Sequence, residues 1–168
     1  MTDVLSNPAS YKYLSSWDPL DKQSKRPPIQ VVTCFLQKQD KILALQRAKK
    51  DIQHNLWGIP GGKLNNGEDP IQGLIREIEE ETGSKLDPRN FQLLGTAHSQ
   101  TPCDGAYGLY LYHVLVPENF SVHVDPIEHY AYRWVTLSEF ESMELLTAQG
   151  EALKLVKEQL QTLINFKD

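Results

Sequence analysis

The sequence predicts an α+β fold, a mixed β-sheet with helices packed on its faces. Three observations carry that expectation. Runs rich in β-branched residues or alternating in polarity recur at 29–37, 42–47, 91–99, 107–116 and 130–135. Between them lies one segment with clear helix start and stop signals, and a second amphipathic segment closes the chain. The length of 168 residues and the hydrophobic content of 40% suit a single core, with no internal repeat and no second domain.

Taken in order, residues 1–28 read as an N-terminal arm dominated by Pro, Ser, Asp and Lys and ending in Arg26-Pro27-Pro28. Its aromatic residues Tyr11, Tyr13 and Trp17 are expected to dock on the body of the domain, which runs over 29–168. Ile29 to Gln37 is a strand, Gln39-Asp40-Lys41 a turn, and Ile42 to Arg47 a second strand, so the two form a hairpin. Trp57-Gly58-Ile59 is a short apolar piece before Pro60-Gly61-Gly62, and KLNNGED is a loop. Asp69 is then a good N-cap, Pro70 fits the first helical position, Gln72 falls where a variant capping box needs it, and Gly83 is a natural stop. Ile71, Leu74, Ile75 and Ile78 make one apolar stripe for the core.

After Pro88 come the remaining strands, Phe91 to Thr96 continuing toward Ser99, Tyr107 to Val116 and Tyr130 to Val135. Ser138 is the expected N-cap of a short helix with Glu141 at its third position. Thr147 is expected to open the last helix, whose Leu153, Val156, Leu160, Leu163 and Ile164 have helical spacing.

Composition narrows the function. The net charge of −5 lacks the basic surface with which proteins grip a nucleic acid polymer. The longest apolar runs are far too short to span a membrane. The opening MTDVLSNPASYKYLSS has no basic segment leading into an apolar one, and Cys34 and Cys103 are the two cysteines, so reduced thiols in a cytoplasm are expected. The five histidines show no metal-ligand spacing and are read as structural.

The chemistry concentrates in REIEEETG, residues 76–83. On a helix Glu77, Glu80 and Glu81 share one face, while Glu79 points elsewhere. The apolar stripe lies roughly 120° away from that face by helical geometry. Clustered like charges cost stability on a helix, so either the face is simply solvated or a strong positive charge sits against it. Oxygen donors in a cluster suit Mg²⁺ or Mn²⁺, which a polyphosphate then shares. Gly73 lies on the same face, and a glycine inside a helix costs about 1 kcal/mol relative to alanine. A close approach by the Gly61-Gly62 turn would explain it.

These residues resemble a known family. Gly62, Glu68, Arg76, Glu77, Ile78, Glu80, Glu81 and Gly83 stand in the register of the box that marks Nudix hydrolases, with Ser84 replacing the final aliphatic residue. Seven fixed letters coincide by chance roughly once in 10⁸ to 10⁹ starts. The likeness extends from about Ile29 to the C-terminus and implies the Nudix fold, a mixed sheet between helices.

The resemblance implies hydrolysis of a nucleoside diphosphate linked to another group, with bound Mg²⁺ or Mn²⁺. It implies Glu77, Glu80, Glu81 and the Gly61 carbonyl as metal ligands, Glu68 as a carboxylate at or behind the metal, and Arg76 as the group that orients Glu77 or Glu68. Glu128, from a later loop, and Glu80 are rival general bases. Arg47 is a phosphate contact or a solvated strand end, and Lys63 lies near the phosphates. Trp57, Tyr107 and Tyr110 either stack on a base or pack in the sheet.

LALQRAKKDIQHNLWGIPGGKLNNGE is similar to MutT-type enzymes, which implies a nucleoside triphosphate cleaved to monophosphate and pyrophosphate. Ser99, Gln100 and Thr101 stand where ADP-ribose and diadenosine polyphosphate hydrolases tend to carry proline and tyrosine, and SMELLTAQG offers no counterpart of the asparagine that reads oxidised guanine. An ADP-ribose, nucleotide-sugar or other capped-nucleotide pyrophosphatase and a non-catalytic nucleotide-binding module are the alternatives. The D-x-D-x-D-G loop of a calcium-binding EF-hand is absent. The partner is a small-molecule nucleotide, and the family adds a second copy of the chain as a homodimer partner.

Overall fold

The central strands bury consecutive residues, Val32 to Gln37 and Ile42 to Leu45, so both faces of the sheet need cover, and the chain supplies it. The computed structural model describes residues 12–15, 29–48, 53–101, 105–146 and 149–166. In chain order the elements are β1 (Lys12–Ser15), β2 (Ile29–Lys38), β3 (Lys41–Arg47), β4 (Trp57–Gly58), β5 (Gly61–Lys63), α1 (Pro70–Thr82), β6 (Gln92–Thr101), β7 (Gly105–Leu115), β8 (His129–Val135), α2 (Leu137–Ser142) and α3 (Gln149–Asn165), with a 3₁₀ turn at Pro88–Asn90.

The described strands form one sheet in the order β1-β6-β7-β2-β3-β4, with β5 on β2 and β8 on β3. It is mixed, because β2 pairs parallel with β7 over Ile29↔Tyr107 to Gln37↔Leu115 while its other pairings are antiparallel. The expected hairpin of β2 and β3 is real but short: only Gln37↔Ile42 and Lys38↔Lys41 pair. Beyond them the strands part. β4 takes the edge of β3 at Leu45↔Gly58, and β5 takes the edge of β2 at Val31↔Lys63 to Thr33↔Gly61. The segment 57–63 is thus wedged between two strands adjacent in sequence.

Two cores follow from the period-2 alternation of strand side chains. One face buries Phe35, Ile42, Ala44, Leu109 and Leu111 under Phe140 of α2 and Leu153, Val156 and Leu160 of α3. The other buries Cys34, Leu36, Leu43, Leu45, Tyr110 and Tyr112 under Leu74 and Ile78 of α1. Ile71 packs at the edge of that second core.

The termini of α1 follow their sequence signals. The Asp69 carboxylate accepts from the Ile71 and Gln72 N–H groups, and Gly83 closes the helix at φ 75° with its N–H on the Glu79 carbonyl. The described bonds of the cap run to Asp69 alone, without a return bond from the Gln72 side chain. Ser84, the departure from the family box, donates its hydroxyl to the Ser121 carbonyl at 2.8 Å.

Two local expectations need correction. The cap of α2 is Thr136, not Ser138: Thr136 and Glu139 form a complete capping box, with Leu137 and Phe140 buried. The residue packed on Gly73 is also not from the Gly61-Gly62 turn. A Cβ on Gly73 would strike the Leu64 side chain and the Glu68 carboxylate, whereas the Gly62 backbone lies against the Glu77 carboxylate. Thr147, Cys103, Tyr11 and Trp17 lie outside the described residues. Lys12–Ser15 of the arm pairs antiparallel with β6.

Candidate active site

The wedge brings the glycine turn beneath α1. Gly61 crosses β2 so closely that a Cβ would overlap the Val32 carbonyl, and its N–H donates to Glu81 Oε2 at 2.9 Å. Glu81 is 8% exposed, unusual for a carboxylate. Burial pushes its pKa well above the ordinary carboxylate range, against the Gly61 N–H bond, and the nearby negative charge of Glu77 and Glu128 pushes the same way while Arg47 opposes it. Glu77 is raised too, chiefly by burial, with Arg76 opposing.

Arg76 is the organiser behind these acids. Its Nε and Nη2 donate to the two oxygens of Glu68, each at 2.9 Å, its Nη1 donates to Glu77 Oε1 at 2.7 Å, and its Nη2 also reaches the Lys63 carbonyl at 3.1 Å. Such bidentate, charge-assisted contacts fix both direction and distance. Glu68, which also accepts from the Asn65 N–H at 2.8 Å, is held down to about 2 by Arg76 and that backbone bond. Burial opposes but does not overturn the rise that Glu68 and Glu77 impose on Arg76, which stays a fixed cation.

Beside this framework opens a cavity of about 630 Å³. Arg47, Lys63, Glu77, Glu81, Glu128 and His129 line it together with Gly61 and Gly62. Of the residues expected from sequence, the structure therefore gathers Arg47, Gly61, Lys63, Glu77, Glu81 and Glu128. Glu68 and Arg76 stand behind Glu77. Glu80 sits at the outer side of the helix, its side chain 53% exposed and 3.5 Å from Arg76. Glu128 is placed by a turn in which the Asp125 carboxylate accepts from the Ile127 N–H at 2.9 Å, and its carbonyl accepts from the Ala48 N–H at 2.9 Å, tying the loop to the end of β3.

The aromatic residues are packing groups: Trp57 and Tyr107 border the α3-side core, Arg133 stacks over Trp57 at 5.8 Å, and buried Tyr110 donates its hydroxyl to Gln30 Oε1 at 3.1 Å. Sequence reasoning missed His129. It is buried, its Nε2 lies 3.8 Å from Glu81 Oε1, and its Nδ1 has no hydrogen-bond partner.

Among the described residues no three His, Cys, Asp or Glu side chains are placed together so as to hold a metal ion. The donor chemistry nevertheless fits a hard divalent cation. Glu77 and Glu81 are two desolvated carboxylates, each made harder to ionise by burial and by neighbouring acids, and positive charge between them would relieve both penalties.

The model of the NUDIX domain matches residues 26–158. CTP pyrophosphohydrolase of Escherichia coli is 29% identical over 111 residues, covering 66% of this chain and 78% of that protein. The chain spans 18%, 24% and 61% of the length of the first three curated relatives it matches. Among solved structures, the NUDIX domain of Shewanella oneidensis NrtR in complex with ADP ribose superposes with a TM-score of 0.64 at 20% identity, covering 86% of this chain and 94% of that one. A bifunctional NMN adenylyltransferase/ADP ribose pyrophosphatase from Francisella tularensis, solved with AMP and a manganese ion, gives a TM-score of 0.63 at 21% identity over 82% of this chain and 43% of that one. With the family box in register along α1 and the family's mixed sheet between helices, this chain belongs to the Nudix family.

Proposed function

We propose that the chain is a divalent-metal-dependent hydrolase that cleaves the diphosphate bridge of a nucleoside diphosphate derivative. The observation that carries this reading is the gathering of Glu77, Glu81 and Glu128 with Arg47 and Lys63 around one cavity, backed by the buried Gly61–Glu81 contact. The preferred substrate class is a nucleoside triphosphate, cleaved to monophosphate and pyrophosphate, a reading supported by the similarity to a protein named CTP pyrophosphohydrolase.

Glu77, Glu80, Glu81 and the Gly61 carbonyl would hold Mg²⁺ or Mn²⁺. When bound, the cation neutralises phosphate charge, orients the polyphosphate and acidifies water. The protein's own groups do the rest. Arg76 and Glu68 hold Glu77 in place. Arg47 and Lys63, which line the same cavity, bind phosphate oxygens. Glu128 accepts the proton of the attacking water, with Glu80 the rival for that role.

A product-resolved hydrolysis panel tests the reading. Purified protein with Mg²⁺ or Mn²⁺ meets nucleoside triphosphates, oxidised dGTP, ADP-ribose, diadenosine polyphosphates and nucleotide sugars. The expected result is monophosphate and pyrophosphate from a triphosphate, lost in the Glu80→Gln, Glu81→Gln double variant. An active double variant refutes the metal assignment. Preference for ADP-ribose, the ligand of the Shewanella neighbour, refutes the triphosphate assignment alone.

A further inference from the structure

His129 sits on the side of the sheet that a regular strand would deny it. In β8, Tyr132 pairs with Leu45 and Ala131 with Gln46, but the next pair is Arg47 with His129, so Tyr130 is an extra residue. Regular alternation from Tyr132 would put Tyr130 on the α1 face and His129 on the other. The inserted residue reverses this, and His129 lands on the face of Leu45 and Arg47, under Glu81. Bulges re-aim side chains in this way and are over-represented beside active sites.

The ring is held there. The backbone N–H of His129 donates to the Asp125 carbonyl at 2.9 Å, and the residue is 6% exposed. Burial and the Arg47 charge push its pKa down to about 4, so the ring is neutral near pH 7. A neutral imidazole carries one N–H, and its other nitrogen can only accept. Glu81 already has Oε2 on the Gly61 N–H, and Oε1 faces His129 Nε2 at 3.8 Å, longer than a hydrogen bond. A proton on Nε2 points at a carboxylate. It also leaves Nδ1, which has no partner, as an unmet acceptor, whereas an unmet buried N–H is the rarer state.

We propose that His129 is a positioning residue for Glu81: its Nε2 faces one carboxylate oxygen while the Gly61 N–H binds the other, and together they set the direction in which Glu81 meets a divalent cation. This rests on the metal-hydrolase reading above. Hydrogen-bonded partners behind a ligating carboxylate typically account for 10–100-fold in metal affinity or activity.

The test measures Mn²⁺ affinity by electron paramagnetic resonance on the substrate-free protein, with thermal unfolding in EDTA alongside. His129→Phe keeps the ring's bulk and removes the donor, and about 10–100-fold weaker Mn²⁺ binding is expected. His129→Gln places an amide N–H near the position of Nε2 and should restore most of the affinity. Should the Phe variant not fold, His129→Asn, whose amide falls short of Glu81, replaces it with the same expected loss. A packing role alone would shift unfolding in EDTA for both variants and leave the Mn²⁺ affinity unchanged. Wild-type affinity in the Phe variant, or equal loss in Phe and Gln, overturns the proposal. A wild-type protein that binds no Mn²⁺ overturns the metal reading itself, and this inference with it.

Discussion

Gly73→Ala should destabilise the protein, although helix propensity alone says the reverse. Alanine in place of an interior helical glycine stabilises by about 1 kcal/mol. Against that, the new methyl group would overlap the Leu64 side chain and come within 2.9 Å of Glu68 Oε2. Leu64 is the softer neighbour. Glu68 is tethered by the Asn65 N–H at 2.8 Å and by two Arg76 nitrogens at 2.9 Å, so its carboxylate has little freedom to retreat. Overpacking costs about 1–3 kcal/mol, and weakening a hydrogen bond to a charged group costs about 1.5–3 kcal/mol, reduced here because Arg76 is partly exposed. The net expectation is a loss of about 1–3 kcal/mol. At about 2–4 °C per kcal/mol for a domain of this size, Tm falls by roughly 2–12 °C. Differential scanning calorimetry in EDTA isolates the fold from metal binding, and the neighbouring exposed Gln72→Ala is the control. A variant that melts higher than wild type would refute the packing argument and leave Gly73 a tolerated glycine.

Further expectations concern the acids, their guanidinium and the core. Arg76→Lys retains the charge but cannot make the fork to Glu68, so Tm should fall by a few degrees and the Mg²⁺ concentration for half-activation should rise. An unchanged metal titration would disprove the tie from Arg76 through Glu77. Because burial raises Glu81 above its ordinary value near 4.5, ionising it costs stability that appears as pH rises from 4.5 through the folded value and is absent below. Glu81→Gln never ionises, so its Tm advantage over wild type in EDTA should grow with pH over that window, and a gap that stays flat from about pH 4 to 8 would contradict the burial argument. Leu160→Ala, at a fully buried position of α3, should cost about 2–5 kcal/mol in chemical denaturation without changing the metal requirement.

Much of the fold was legible because its signals are local. The Asp69 cap, the Gly83 stop and the period of Leu74 and Ile78 all lie within one helix, and the structure retains each of them. Where local patterns were degenerate, the sequence could not choose. Thr136 with Glu139 and Ser138 with Glu141 are equivalent capping signatures, and the choice falls to the one that buries Leu137 and Phe140. The parting of β2 and β3 was hidden for another reason. It depends on the glycine turn returning to pair with β2, a contact between segments about thirty residues apart. The approach to Gly73 was misassigned for the same reason, since Leu64 and Glu68 reach it only through the loop's own fold.

The acids of the site were readable as types and spacing along α1. Their unequal settings were not: Glu81 is buried, Glu77 half-buried and Glu80 exposed, although all three share one helical face. Depth depends on what covers each position, and the cover comes from the glycine turn and the β3–β8 end. His129 stayed invisible because its side of the sheet is decided by one inserted residue in β8, which alternation alone would assign the wrong way.

The double tenancy of β2 has a consequence for how the molecule breathes. β7 occupies one of its edges from end to end, while β3 and β5 divide the other. A strand enclosed in this way opens only when most of the sheet opens, so its amides should be among the last to trade hydrogen for deuterium. The amide of Gly61 shares that protection, because it is anchored to β2 on one side and to the buried Glu81 on the other. The side chains of Glu80 and Glu128, on the outer helix face and an exposed turn, are not part of that frame. The candidate site is therefore graded in rigidity: a wall that keeps its shape through most native fluctuations, beside two acids whose side chains are exposed.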